Sequence, residues 1–361
     1  MTFRLYVAAG GGGDAIAAAL LHDDPQTRPV ILTYAWERLL LDPVPGPRSV
    51  TDFDHLDLDV PGLAEITTST EARPPARSPL SRLSETLDAR LFLLDPTDGA
   101  QGMREQVHAA VAHLQPDEVI VVDVGGDILA RGDEPGLRSP LADALALAAV
   151  EGLDIPTRVL MAGPGLDGEL TEAEALHRVD ALGGHLYRTL TAEDTHHIGD
   201  ALDWHPTEAT RLLVAAAHGY RGTVEIRDQG SLVHLTDRSA NVYRLDAHRV
   251  QDANPLARVL AGSRSLTEAN DLTRDLLGRT ELDYETTKAA TRAAGRHDQP
   301  GRPSPEAISA SRRVARQHGA DYLTPRRLAE TLNTTTESLR GPTHGYLLIP
   351  TTETAPIGRT N

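Results

Sequence analysis

The chain has 361 residues, room for two modest domains or one large α/β domain with a full hydrophobic core. Its 52 acidic and 35 basic residues leave a formal charge of −17, which excludes a general binder of the nucleic-acid backbone. The absence of cysteine excludes disulfide frameworks, thiolate nucleophiles and cysteine-ligated zinc or iron–sulfur sites, and the single lysine, Lys288, is the one residue able to form a Schiff base.

No apolar stretch reaches bilayer-spanning length, and the opening residues lack the basic, apolar and cleavage segments of a secretion signal, so a soluble cytoplasmic protein is expected. Residues 5–9 predict a short buried strand and 14–21 an alanine-rich helix. Further strands are predicted over 30–34, 91–94, 119–124 and 157–162, with helices over 102–114 and 140–149 between them. Thr171 and Glu174 form a capping-box pattern opening another helix. Strands separated by helices of this length imply βαβ units and a mostly parallel sheet.

Residues 28–84 break that rhythm. Asp42-Pro43-Val44-Pro45-Gly46-Pro47-Arg48 can be neither helix nor central strand, because proline lacks a donor and fixes φ, and the flanking leucines 39–41 favour an ordered loop. Beyond it, a helix over 209–218 ends at Gly219. Strands over 223–227, 231–235 and 241–245 then predict a small antiparallel meander. Residues 255–294, 305–317 and 324–332 read as helices, 296–305 as a linker, 345–350 as a late strand and 351 onward as a tail. The expectation is an α/β fold: a Rossmann-like, mostly parallel sheet with helices on both faces, plus the meander and a helical C-terminal region. The divisions are 1–250 for the Rossmann-like domain with its meander, 251–340 for the helical region and 341–361 for the terminal strand and tail.

Three constellations carry chemistry. Gly10, Gly12 and Ala15 fit the dinucleotide fingerprint G-x-G-x-x-A between a strand and a helix, with Gly11 and Gly13 beside them. Glycines permit close backbone approach, and the helix N-terminus offers free N–H groups to an anion. Glu37, after the second strand, stands where a ribose-binding acid could sit, whereas Asp14 occupies the field a pyrophosphate would want. No lysine follows the glycines, which excludes a phosphate-loop NTPase. Asp123-Val124-Gly125-Gly126-Asp127 closes a second buried strand, and its two carboxylates could orient a hydroxylated substrate, ligate a divalent cation or move a proton. Downstream lie Glu134 and then Ser139, which reads as the N-cap of the helix opened by Pro140. Trp36-Glu37-Arg38, with the proline turn ending at Arg48, could clamp a carboxylate or phosphate, or be a structural ion pair. His196, His197 and His218 fit no metal motif and read as structural.

Taken jointly, Gly10-Gly11-Gly12-Gly13-Asp14, Trp36-Glu37-Arg38 with Asp42-Pro43 and Pro45-Gly46-Pro47-Arg48, and Asp123-Val124-Gly125-Gly126-Asp127 resemble a known family. So do Glu134-Pro135-Gly136-Leu137 with Ser139-Pro140-Leu141-Ala142-Asp143, Gly219-Tyr220-Arg221-Gly222 and Glu225-Ile226-Arg227-Asp228. That family, of archaea and actinobacteria, is domain of unknown function 1152, and the likeness covers roughly the first 250 to 320 residues. It implies one α/β module with the motif residues as its site, and names no reaction.

The reading that follows is an enzyme, of hydrolase, lyase or transferase type, acting on a small polar anionic metabolite such as a nucleotide, nucleoside or sugar phosphate. Asp123, Asp127, Asp14 and Glu37 are the expected catalytic groups. Gly10, Gly11, Gly12, Gly13, Trp36, Arg38, Arg48, Gly125, Gly126, Glu134 and Ser139 are the expected ligand-binding groups. Backbone N–H groups of the first turn should hold the anion, and a divalent cation such as magnesium is the cofactor such carboxylates would take. Neither a nucleic-acid polymer nor a membrane is an expected partner, while a homo-oligomer is compatible with the sequence. The alternatives are an NAD- or FAD-dependent oxidoreductase and a non-catalytic ligand-binding protein. In a doubly wound sheet the loops after residues 9, 34, 124 and 162 should share one edge, with the proline turn adding positive charge beside them.

Overall fold

The computed structural model describes residues 2–294, 303–343 and 346–352. Its centre is an eight-stranded sheet: β1 (Arg4–Ala8), β2 (Val30–Thr33), β3 (Glu65–Ile66), β4 (Arg90–Leu93), β5 (Glu118–Val124), β6 (Thr157–Ala162), β7 (His185–Thr189) and β8 (Asn241–Asp246). Across the sheet the order is β3-β4-β2-β1-β5-β6-β8-β7. β4, β2, β1, β5 and β6 are parallel, while β3 pairs antiparallel with β4 and β8 antiparallel with β6. The parallel strands thus stand third, second, first, fourth, fifth, which is the Rossmann order, and its switch point falls between β1 and β5.

The residues of these strands explain the arrangement. β2 and β5 are buried along their whole length, as strands covered on both faces must be. Tyr6, Ala8, Ile31 and Val122 face one core, shared with the helix α1 (Gly12–Leu21). Leu5, Val7, Leu32 and Val121 face the other, shared with α2 (Gly99–Leu114) and α3 (Pro140–Ala149). Each fully buried Leu, Val or Ile contributes roughly 1.5–3 kcal/mol, so this two-sided packing is the main source of stability. The irregular segment after β2 is ordered. The Arg48 N–H donates to the carbonyl of Ala35 at 2.8 Å, and Phe53–Asp54 pairs with Glu71–Ala72.

The predicted meander needs correction. Gly222–Ile226 does pair antiparallel with Ser231–Leu235, but residues 241–246 leave them and become β8 of the central sheet. Val242 packs into one core and Leu245 into the other, and a strand with two apolar faces needs cover on both. The other neighbour of Gly222–Ile226 is Tyr322–Leu323, parallel to it, followed by Ile349–Pro350, which is the late strand in shortened form. The C-terminal helices include α4 (Glu281–Ala294), α5 (Pro305–Gln317) and α6 (Pro325–Thr331), and Ile308, Ala315, Leu323 and Leu328 form a small third core. Of the predicted linker and tail, residues 296–302 and 353–361 lie outside the described residues, as does Gly345 of the late strand. No helix among the described residues is long and apolar enough to cross a membrane.

Candidate functional site

A cleft of about 160 Å³ opens at the carboxyl ends of β1 and β5, at the switch point. Among its lining residues are Gly10, Gly11, Gly12, Gly13, Asp14, Trp36, Glu37, Arg38, Asp123, Asp127 and Ser139. Asp143 and Arg227, which the family resemblance marked, line it too, as do Asp167, Glu169, His205, Glu208, Glu281 and Arg326, which the sequence did not single out.

The glycine turn after β1 is tight because other groups crowd it. A Cβ on Gly10 would lie 2.2 Å from the Asp14 carboxylate, and one on Gly11 would lie 2.2 Å from the carbonyl oxygen of Trp36. Two of the donors expected to seat an anion at the start of α1 are engaged by the protein's own acids. The Gly12 N–H donates to Glu37 Oε1 at 3.0 Å, and the Asp14 carboxylate accepts from the Gly10 N–H. A helix N-terminus carries unpaired donors and a positive dipole end, so a buried acid is stabilised there. Burial nonetheless pushes Glu37 up to about 8 and Asp14 to about 7, against the pull of these N–H groups.

The same device recurs at α3. The Leu141 N–H donates to Glu281 Oε2 at 2.8 Å, and Glu169 Oε2 accepts from the N–H groups of Arg138 and Ser139 at 2.6 and 2.9 Å. The Ser139 hydroxyl, expected to cap the helix, instead donates to Glu169. Burial pushes Glu281 to about 8, opposed by the Leu141 N–H. Glu169 behaves oppositely: burial would raise it, but Arg227, 2.8 Å away, and its other donors hold it below the usual carboxylate range.

Between these two helix ends stands a cluster of aspartates. Asp123 lies within β5, and Gly125 and Gly126, at φ of 126° and 110°, turn the chain so that Asp127 comes back beside it. Only glycine adopts that backbone freely, and a Cβ on Gly125 would also overlap Asp167 at 2.2 Å. Asp123, Asp127 and Asp143 are 2%, 7% and 6% exposed, and a ligand oxygen from each lies within 4.8 Å of the others. Asp127 forms a second such group with Asp167 and Glu169. Burial, reinforced by neighbouring carboxylates, pushes Asp123, Asp127, Asp143 and Asp167 well above the ordinary range. Oδ2 of Asp123 and Oδ2 of Asp167 are buried without hydrogen-bond partners. An unpaired buried polar oxygen is costly, so this cluster calls for protons or a cation. Its oxygen-only donors suit a hard divalent ion.

His205 closes the cleft opposite the glycine turn. Its Nδ1 accepts from the Thr207 N–H at 3.2 Å, which places the proton of the neutral ring on Nε2. Burial, then Arg211 and Arg326, push its pKa down to about 3. Nε2 has no hydrogen-bond partner and stands 3.8 Å from Glu37 Oε2.

Four expected ligand-binding residues do not line the cleft. Arg48 sits 3.2 Å from Asp42 and donates to the carbonyls of Pro45 and Gly46 at 2.6 and 2.7 Å. It braces the proline turn from within, since three successive turn carbonyls need a donor that proline cannot supply. Gly125 and Gly126 shape the turn beneath Asp127. Glu134 accepts from the Arg131 and Gly132 N–H groups at 2.8 Å and pairs with Arg178, fixing its own loop. His197 Nε2 donates to the carbonyl of Ala19, and His218 pairs with Thr195, both away from the cleft.

Most of the remaining lining comes from beyond the sheet. α4 presents Glu281, Glu285 and Lys288, spaced i, i+4, i+7, on one face. Glu285 Oε2 accepts from Trp36 Nε1 at 3.0 Å and from the Gly46 N–H at 2.9 Å, tying the proline turn to the cleft. That spacing was the signal available in the sequence, and Asp167-Gly168-Glu169, shortly after β6, was a second.

The arrangement defines a doubly wound α/β protein with an acidic cleft at its switch point. The chain belongs to the family described as protein of unknown function (DUF1152), whose model matches residues 5–289. No curated protein and no solved structure matches it.

Proposed function

We propose that the cleft is the active site of an enzyme that acts on a small polar anionic metabolite, with a divalent cation such as magnesium held by Asp123, Asp127 and Asp143. The observation that carries this is the pair of three-carboxylate groups sharing Asp127 at the switch point, where doubly wound folds bind ligands. A divalent ion would neutralise charge that the protein itself leaves unbalanced there, and would polarise a substrate oxygen bound to it. With the ion bound, these carboxylates are spent as its ligands; without it, Asp123 or Asp127, once deprotonated, is the group placed to take a proton from substrate or water. Hydrolase, lyase or transferase chemistry on a nucleotide, nucleoside or sugar phosphate fits such a site. A dinucleotide oxidoreductase gains no support, because the Glu37 carboxyl takes the Gly12 N–H that a pyrophosphate would need.

Calorimetric titration with Mg²⁺ and Mn²⁺ tests the reading. The cluster must shed protons to take the ion, so affinity should rise about tenfold per pH unit between pH 6 and 8 for each proton released. Asp127→Asn should abolish binding while the protein stays folded. Absence of binding by the wild type at pH 8 would remove the basis of the proposal.

A further inference from the structure

The cleft opens into a second hollow of about 60 Å³, and the two share Arg38, Ser139, Glu169, Arg227, Glu281 and Arg326. Charge divides unevenly between them. Nine carboxyl side chains and three guanidinium groups line the cleft, while the hollow has five carboxyl groups and five cations. In a chain of net charge −17, the hollow gathers the only lysine and four arginines from four separate segments: Arg38, Arg138, Arg227 and, with Lys288, the C-terminal Arg326.

Arg326 is engaged by Glu208 and Glu330, at 3.3 and 3.5 Å, but the other four cations are incompletely spent. Arg138 is exposed and makes no ion pair or side-chain hydrogen bond among the described residues. Arg38, half-exposed, is no nearer than 3.9 Å to Glu285. Arg227 gives one of its guanidinium N–H groups to Glu169, and a guanidinium has five. Lys288 Nζ lies 2.6 Å from Asp228, which engages one of its three donors. Glu281, protonated at neutral pH with its value at about 8, leaves the hollow with a positive balance. Acids already take the Gly12 and Leu141 N–H groups at the starts of α1 and α3. The densest set of cationic side chains open to an incoming anion is here.

We propose that this hollow seats a phosphate group of the substrate, whose hydroxyl-bearing remainder extends to the aspartate cluster. This rests on the reading of the cleft as a substrate site, and it adds the class: a phosphomonoester. A tetrahedral dianion accepts from several directions, as donors from four chain segments require, whereas a carboxylate accepts largely in one plane. Arg326 lies beyond the matched family segment, so the seat is completed by the C-terminal region.

The test is calorimetric titration of metal-free protein at pH 7.5 with inorganic phosphate, and separately with malonate as the carboxylate control. Wild type, Arg138→Gln, Lys288→Gln and the double variant are compared, and each is also titrated with Mn²⁺. Phosphate should bind the wild type more tightly than malonate does, the double variant should bind phosphate at least tenfold more weakly, and Mn²⁺ affinity should be unchanged. Because Lys288 is the sole lysine, phosphate should also slow its reductive methylation in the wild type, read by mass spectrometry without any variant. Mn²⁺ binding without phosphate binding would overturn the hollow's role and leave the metal reading standing. Phosphate binding that the double variant retains, or malonate binding equally well, would likewise overturn it. Phosphate binding lost in the double variant, with no Mn²⁺ binding by any form, would uphold the hollow and remove the metal.

Discussion

Replacing Glu37 by glutamine should make the protein more stable, and increasingly so as pH rises. Glu37 is 5% exposed and accepts one backbone N–H, from Gly12, a bond the amide oxygen of glutamine can keep at the same length. Burial raises the carboxyl from its ordinary value near 4.5 to about 8. In linkage terms the folded state binds the proton more tightly than the unfolded chain. The contribution is therefore fully present below pH 4.5 and is lost as pH climbs through 8. Each pH unit in that window removes about 1.4 kcal/mol, so about 3 kcal/mol is gone by pH 7 and about 5 kcal/mol above pH 9. Glutamine does not titrate and loses none of it; buried acids remote from Glu37 cancel, and Asp14 and Asp42, which repel its charge, ionise more easily in the variant and add to the difference. Urea unfolding of wild type and Glu37→Gln at pH 5, 7 and 9, in the absence of divalent ions, reads the difference directly. Stability curves that run parallel from pH 5 to 9 would refute the claim that Glu37 is a buried, largely protonated acid.

Two further outcomes follow from the same geometry. His205, with its pKa lowered to about 3 by burial and by Arg211 and Arg326, should show no titration between pH 5 and 8, and ¹⁵N chemical shifts should report a proton on Nε2 alone; a midpoint near 6.5 would contradict this. Gly125→Ala should cost about 2–4 kcal/mol, from a strained left-handed backbone and the displacement of Asp167, and thermal unfolding of the variant would expose an error if its midpoint matched the wild type.

The sheet was legible in the sequence because its strands are apolar on both faces and separated by helices, a pattern that survives without any tertiary information. Residues 241–246 were misplaced for a reason local to them. A strand following a hairpin is expected beside it, and only the placement of Val242 and Leu245 in opposite cores shows that it returned to the central sheet. β3 and β7 escaped notice because β3 is two residues long and β7, His185–Thr189, has no buried residue to announce it.

The site divides along a different line. Gly10, Asp14, Asp123 and Asp127 could be found because strand ends and glycines mark them, whereas Asp167, Glu169 and Glu281 arrive from helices and loops whose sequence says only that they are polar. What the sequence did not announce is the company at the helix N-termini. A glycine turn before a helix signals that backbone donors are available. Here Glu37 and Glu281 take one donor at each helix from 25 and 140 residues away. Once those donors are taken by the protein's own acids, the positive ends of α1 and α3 serve to hold carboxyl groups in a water-poor cleft. There, burial leaves them protonated until something draws the proton away. A cation at the aspartates is the agent suited to that at neutral pH, and on the function proposed above its arrival would hold Asp123, Asp127 and Asp143 as carboxylates. Binding of the ion and loss of those protons are then one event, which is why Mn²⁺ affinity should rise with pH and each mole of Mn²⁺ bound should release protons to the buffer.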